Sequence, residues 1–330
     1  MFVRIRKSWL TSFLLMATHA TVAAWDSQDL SRQIAEVMSH SPSGQAHQRF
    51  THAKGIVCRG AFVPSPGAVA LSRAAHFRGA KVPITVRFSN GAPDIAVPDN
   101  SSDAAPRGIS IRFQTEGPGT DILAISRNGF IVGTGEEFLE LQKAIAATDR
   151  SKPHPWPIET FLGSHPRAVG FLQDLKSVPA SFANETYFAN NAFVFVNAAG
   201  EKRAGRYQII PVDGRRHLDD GEASKKSTDF LGEELRARLA KAPAAFRLQV
   251  QLAQPGDPTN DSSIVWPADR EVVTLGILTI ESIVPDSAAA ERKLAFDPTR
   301  LVDGIELSDD PLPVLRSRVY AISVAGRAGR

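Results

Sequence analysis

The stretch Val82-Pro83-Ile84-Thr85-Val86-Arg87-Phe88-Ser89 decides the fold. Ile84, Val86 and Phe88 alternate with Thr85, Arg87 and Ser89, the period of a strand that turns one face to a core. Ile109, Ile111 and Phe113 repeat the pattern. Around these two segments the whole region from about 56 to 132 reads as strands. Strand character returns at Phe193–Val196 and Tyr207–Ile210, joined by the turn Asn197-Ala198-Ala199-Gly200, and again at Phe246–Leu252 and Val272–Ile280. Helical spacing marks residues 26–48 as helix and linker, with Leu30, Ile34, Val37 and Met38 on one face. It marks Glu136–Ala147 and 166–176 as well, with the proline-rich Pro153–Pro157 between them. Asp309-Asp310-Pro311 opens a last helix that runs through Arg316 and Tyr320, with Gly326 as its stop. The expected class is α+β: an antiparallel β core with inserted and appended α-helices, as one domain over 25–330.

The first 24 residues read differently. Arg4, Arg6 and Lys7 precede an apolar run, Trp9–Met16, and then Val22-Ala23-Ala24. A basic start, a short apolar stretch and a small-residue exit form a secretory leader, cleaved after Ala24. The run is too short to span a bilayer. The expected product is exported, to a periplasm where there is one. Those three residues also carry the formal charge of +3. Without them the 38 basic residues fall to 35, equal to the 35 acidic ones. A neutral body offers no electrostatic reason for a nucleic-acid or membrane partner. The lone Cys58 excludes an internal disulfide and a cysteine-held metal cluster.

Three short segments could carry chemistry. His52 lies in Arg49-Phe50-Thr51-His52-Ala53-Lys54-Gly55, where a histidine can be an acid–base group, a surface residue or a satisfied core residue. Arg87 on its strand either faces solvent or grips an anion; a haem propionate is one candidate, because guanidinium binds carboxylate bidentately. Arg107 sits between Pro106 and Gly108. Arg316 and Tyr320 are four apart, so on a helix they share a face. A guanidinium beside a phenol favours the phenolate, a chemically reasonable ligand for ferric haem. The alternative there is an ordinary helix with a partly buried tyrosine.

Taken in order, these segments resemble the haem catalases, and most closely the short catalase-related peroxidases. Arg49–Gly55 resembles the segment with the distal histidine, Pro83–Ser89 the strand after it, and Pro106-Arg107-Gly108 the Pro-Arg-Gly turn. Asn197–Glu201, Val265-Trp266-Pro267 with Gly276-Ile277-Leu278, and Gly304-Ile305-Glu306 with Ser308 ahead of Arg316–Tyr320 extend the match over most of the chain. The resemblance implies a catalase-type β-barrel with haem b as cofactor. It implies His52 above the haem, Tyr320 as axial iron ligand, and Arg49, Arg87 and Arg316 near propionates or phenolate. Ser89, two residues after Arg87, shares its strand face and is expected to hydrogen-bond His52, with Arg107 in support. Arg49 and His52, three apart, need a bend between them.

The departures point to a peroxidase. Family catalases carry a distal asparagine after an Asp-Leu-Val-Gly run; here Asp121-Ile122-Leu123-Ala124 leads to Ile125-Ser126, and Asn128 is displaced. The aromatic expected two residues before the axial tyrosine is Arg318, and ten residues follow Tyr320. The expected activity is reduction of organic hydroperoxides by an external electron donor, with weak dismutation of hydrogen peroxide. The rivals are a hydroperoxide isomerase or lyase, an exported haem carrier without turnover, and a haem-free barrel.

Overall fold

The structure is a computed structural model; it describes residues 19–40, 49–79, 81–173, 175, 177–328, and no side chain of 19–27 or 328. The strands are β1 (Gly55–Pro64), β2 (Val82–Ser89), β3 (Gly108–Phe113), β4 (Thr120–Ile125), β5 (Val178–Pro179), β6 (Tyr187–Phe188), β7 (Phe193–Val196), β8 (Lys202–Pro211), β9 (His217–Leu218), β10 (Ala244–Leu252), β11 (Val272–Ile283) and β12 (Ile305–Leu307). The helices are α1 (His19–Ser39), α2 (Pro66–Leu71), α3 (Gly135–Ala146), α4 (Pro157–Ser164), α5 (Pro166–Gln173), α6 (Asp220–Ala223), α7 (Phe230–Leu239), α8 (Ser287–Lys293) and α9 (Leu312–Ala328).

Eight strands close into a ring in the order β10-β11-β1-β2-β3-β4-β6-β8, with β8 pairing back to β10. All these pairings are antiparallel, and β7 and β12 extend the sheet beyond β8. Closure follows from the sequence pattern. Cys58, Val86, Ile111 and Ile122 stand in one cross-strand row, and all four are buried in the barrel core. Phe62, Phe88, Phe113, Tyr187 and Phe246 fill the same interior, with Phe62 edge-on to Phe113 at 5.2 Å. Burying a side chain such as Phe88 contributes about 1.5–3 kcal/mol, and the barrel leaves no unpaired edge along the closed ring. Cys58 is fully buried, and burial pushes its thiol up to about 12. His76 is also fully buried, stacked on Phe113 at 4.5 Å with both ring nitrogens unpartnered; burial takes it down to about 3.

The other face of the same strands carries a different set. Arg87, Ser110 and Leu123 form one cross-strand row, and Ser89, Gly108 and Ile125 the next. A helical layer lies over that side. Ile34 and Ala35 of α1, Leu139 of α3, and Leu312, Leu315 and Val319 of α9 form a second cluster. Helix α3 begins at a capping box in which Thr134 accepts from the Glu137 amide and Glu137 accepts from the Thr134 amide. Among the described residues no helix is long and apolar enough to cross a membrane.

Several boundaries differ from the sequence reading. Helix α1 starts at His19, ahead of the expected cleavage point, while the first 18 residues of the expected leader lie outside the described residues. The helix expected at 166–176 ends at Gln173 in α5, and α4 precedes it. Gly326 does not stop the last helix, which runs to Ala328. A glycine in a helix costs roughly 1 kcal/mol, too little by itself to end it.

Candidate functional site

Between the barrel's outer face and the helical layer lies a cavity of about 460 Å³. The rows Arg87–Ser110–Leu123 and Ser89–Gly108–Ile125 line it, together with Arg49, His52, Tyr320, Arg316 and Arg327. Apolar side chains such as Val37, Phe130, Phe138, Phe171 and Leu315 form much of the remainder. The volume is that of a ligand or cofactor site.

The first wall belongs to the barrel. His52 supplies the bend between Arg49 and the strand: its φ is +55°, a left-handed conformation that costs a non-glycine residue roughly 1–3 kcal/mol. Main-chain bonds from His52 N to Gly91 O (3.2 Å) and Ala53 N to Ala92 O (3.0 Å) hold it, and Arg87 Nη2 donates to His52 O at 2.7 Å. The ring Nδ1 lies 3.0 Å from Ser89 Oγ. Gly108 makes room for that pair, since a Cβ there would stand 2.7 Å from Ser89 Oγ and 2.9 Å from His52 Nδ1. With the Nδ1 proton given to Ser89, Nε2 keeps its lone pair as a base. Burial, then the guanidinium groups of Arg87, Arg316 and Arg49, hold the imidazole down to about 3. The ring is therefore neutral across the physiological range.

The second wall belongs to α9. Arg316 Nε donates to Tyr320 Oη at 3.1 Å, the one-turn pairing that their spacing predicts. Arg316 Nη1 donates to Asn191 Oδ1 at 2.5 Å, and Asn191 Nδ2 donates to Asp310 Oδ2 at 2.7 Å. Asp310 Oδ1 accepts the Leu312 amide at 2.9 Å at the start of the helix. Burial raises the Asp310 carboxyl, and the Asn191 hydrogen bond offsets part of that. The run of α9 past Gly326 adds Arg327, two turns beyond Tyr320, whose Nη1 donates to Ser323 Oγ at 3.0 Å.

Arg49 and Arg87 both pair with one carboxylate, Glu291, and Arg327 lies close enough to feel its charge and that of Arg87 without an ion pair to it. Burial, then Arg87, pull Arg49 down to about 10, which marks a cluster short of negative charge. Arg327 Nε and Nη2 are buried without a partner among the described residues. That is the bidentate edge of a guanidinium, open to a carboxylate. Three cations against one anion leave an excess of two, which the two carboxylates of haem b would neutralise. A phenol beside a guanidinium, a neutral imidazole, apolar walls and this open seat together fit an iron porphyrin.

Arg107 does not line this cavity. It continues the alternation of β3 on the face away from Gly108 and Ser110, and it is fully buried with Nη2 donating to Asp99 O at 2.6 Å. Its expected supporting role at the site is corrected accordingly: it braces the Asp99 loop. Asn191, Arg327 and Glu291 went unnoticed in the sequence, and Asp310 was read only as a helix-opening residue, a role its bond from the Leu312 amide bears out. Of the three, Arg327 carried a local signal, being eleven residues beyond Arg316 on the same helical face.

The asparagine question also has a local answer. Ile125 lines the cavity in register with Ser89, while Ser126 Oγ accepts from the Arg107 amide at 2.9 Å. Asn190 and Asn191 line the cavity, but their amides are engaged. Asn190 accepts from Gly129 N (2.9 Å) and donates to Arg127 O (3.1 Å), and Asn191 joins Arg316 to Asp310.

Known proteins are similar to this chain in sequence and in fold. The family model described as catalase matches residues 28–329. The catalase-related peroxidase of Mycolicibacterium paratuberculosis is 35% identical over 303 residues, covering 90% of this chain and 94% of that protein. The catalase-related peroxidase of Synechococcus elongatus is 31% identical over 338 residues, 98% of each. Among solved structures, a bacterial catalase superposes with a TM-score of 0.76 at 22% identity, covering 90% of this chain and 60% of its own. Catalase A from Saccharomyces cerevisiae gives 0.75 at 20%, covering 98% and 68%.

Proposed function

Because the chain belongs to the catalase family, whose members are haem-dependent oxidoreductases acting on peroxide, we propose a haem-b peroxidase that reduces organic hydroperoxides with an external electron donor. The observation that carries the finer choice is Ile125, an apolar side chain in the row of Ser89, in a cavity whose two asparagines are both engaged elsewhere. Ile125 offers a second hydrogen peroxide no donor at that position, so weak catalase activity follows. An apolar wall suits an alkyl or acyl group instead.

When bound, haem supplies the redox-active iron that accepts the oxidising equivalents of the peroxide. Tyr320, whose Oη accepts from Arg316 Nε, is the residue that would hold the iron. Arg49, Arg87 and Arg327 are the proposed seats of its carboxylates, with Arg327 offering the open edge. His52 Nε2 takes the proton from the hydroperoxide and returns it to the departing oxygen. Ser89 Oγ, 3.0 Å from Nδ1, can accept its proton and so leave Nε2 free as the base. The basic start, apolar run and Val22-Ala23-Ala24 support export, with N-terminal sequencing of the secreted product as its test.

The first test is the visible spectrum of protein produced with haem available, where high-spin ferric features of a phenolate ligand are expected. Donor oxidation with cumene hydroperoxide should then exceed oxygen release from hydrogen peroxide. Oxygen release rivalling donor oxidation would overturn the preference, and turnover of a lipid hydroperoxide without any donor would favour an isomerase. The Ile125→Asn variant should raise oxygen release relative to donor oxidation.

A further inference from the structure

Glu291 belongs to α8, which has no buried residue of its own, and its side chain is nonetheless only 16% exposed. Both carboxylate oxygens accept from Arg87 Nε, at 2.6 and 2.8 Å. The same guanidinium donates through Nη2 to the carbonyl of His52 at 2.7 Å. Arg49, on the other side of the His52 bend, donates Nε to Glu291 Oε2 at 3.4 Å. Its Nη2 donates to the main-chain oxygens of Glu291 (3.1 Å) and Leu294 (2.7 Å). One carboxylate therefore clasps the chain before and after the left-handed residue.

Room for the clasp is built in. A Cβ at Gly55 would stand 2.4 Å from Arg87 Nη2 and 2.6 Å from Glu291 Oε1. Helix α8 is itself tied to the barrel where Val57 N donates to Ser287 Oγ at 2.9 Å. A helix tied to β1 at its first residue and to Arg49 at its far end gives the carboxylate a fixed place to pull from.

We propose that Glu291 is a positioning residue for His52: through Arg87 and Arg49 it sets the backbone bend that aims the imidazole into the cavity. A carboxylate distant in the chain is needed because a histidine gives the left-handed bend no support of its own. Removing the carboxylate leaves Arg87 without the group that orients it, and the His52 carbonyl loses its fixed donor. A misplacement near 1 Å at such a group costs up to about a hundredfold in rate.

This inference rests on His52 acting as the acid–base group. The test is cyanide association with full-length haem protein, which enters as hydrogen cyanide and needs a base to take its proton. His52→Ala, Glu291→Ala and Glu291→Gln are compared with the parent, with the Soret and charge-transfer bands recorded for each. His52→Ala should slow association by about a hundredfold or more. Glu291→Ala should slow it about tenfold, and Glu291→Gln, which keeps an acceptor for Arg87, about two- to threefold, with unchanged bands. Parent-like association in Glu291→Ala beside a slow His52→Ala would overturn the role of Glu291 and leave that of His52 standing. Fast association in His52→Ala would remove the acid–base reading itself. Loss of the haem bands in both Glu291 variants would make Glu291 a cofactor-holding group and sink the proposal.

Discussion

The cavity's two walls are built by opposite means. The barrel wall takes its side chains from rows of the sheet, Arg87–Ser110–Leu123 and Ser89–Gly108–Ile125, where hydrogen-bonded register sets every position. Its one irregular member, His52, is forced into a left-handed turn and held by groups from elsewhere. The helix wall takes Arg316, Tyr320 and Arg327 from one face of a single element and anchors it at Arg316 through a chain of side chains, Arg316–Asn191–Asp310. A sheet gives precise spacing but cannot bring a loop residue inward. A helix aligns its residues without help but needs an outside anchor to fix its rotation.

Breaking the helix wall should have the largest effect. Tyr320→Phe removes the oxygen that would bind iron, and complete loss of the phenolate charge-transfer band is expected in the visible spectrum. On the barrel wall, His52→Ala should lower the rate of the peroxide step by about 10²–10⁴, read by stopped-flow mixing, while the resting spectrum stays that of a phenolate-ligated haem. Asn191→Ala tests the anchor: it strands a buried carboxylate and one guanidinium nitrogen, at about 1–3 kcal/mol in chemical denaturation, and should speed haem loss to a scavenger globin. Gly108→Ala tests the register, because its methyl would meet Ser89 and His52. About 1–3 kcal/mol of destabilisation is expected, with a peroxide step slowed well beyond what the stability change explains.

The smallest effect lies in the barrel interior and concerns pH. Folded His76 stays neutral down to about 3, whereas the unfolded chain takes up its proton near 6.5. The unfolded state thus binds more protons between those values, and stability falls as pH drops through that window. His52 contributes with the same sign. His76→Leu should flatten part of the acid slope in a melting-temperature series from pH 7 to pH 4, and an unaltered slope would exclude His76 as a cause.

The parts of this molecule that were legible in sequence are those governed by local period. Val86, Phe88, Ile109 and Ile111 announced strands with one buried face, and Thr134 and Glu137 stand as a capping box at the start of a helix that the pattern located within a residue. Arg316 and Tyr320 announced a shared face because four residues make one turn. Glu291 was invisible, since it meets Arg87 across 204 residues of chain, and Asn191 meets Arg316 across 125. Arg107 misled because it adjoins site residues in sequence while the alternation of β3 carries it to the opposite face. Its neighbours Pro106 and Gly108 do line the cavity. Contacts closed by topology leave no trace in spacing, and the clasp around His52 consists of little else.

The row Cys58–Val86–Ile111–Ile122 has a consequence for survival in an oxidising setting. Burial raises the Cys58 thiol to about 12, so it stays protonated near neutral pH, and thiolate is the form that reacts with peroxide. The only sulfhydryl of the chain is thereby chemically mute toward the proposed substrate. Oxidative ageing of this protein would begin elsewhere, at the cofactor or at partly exposed Met38 on the cavity rim, and loss of activity under excess peroxide should precede any change at Cys58.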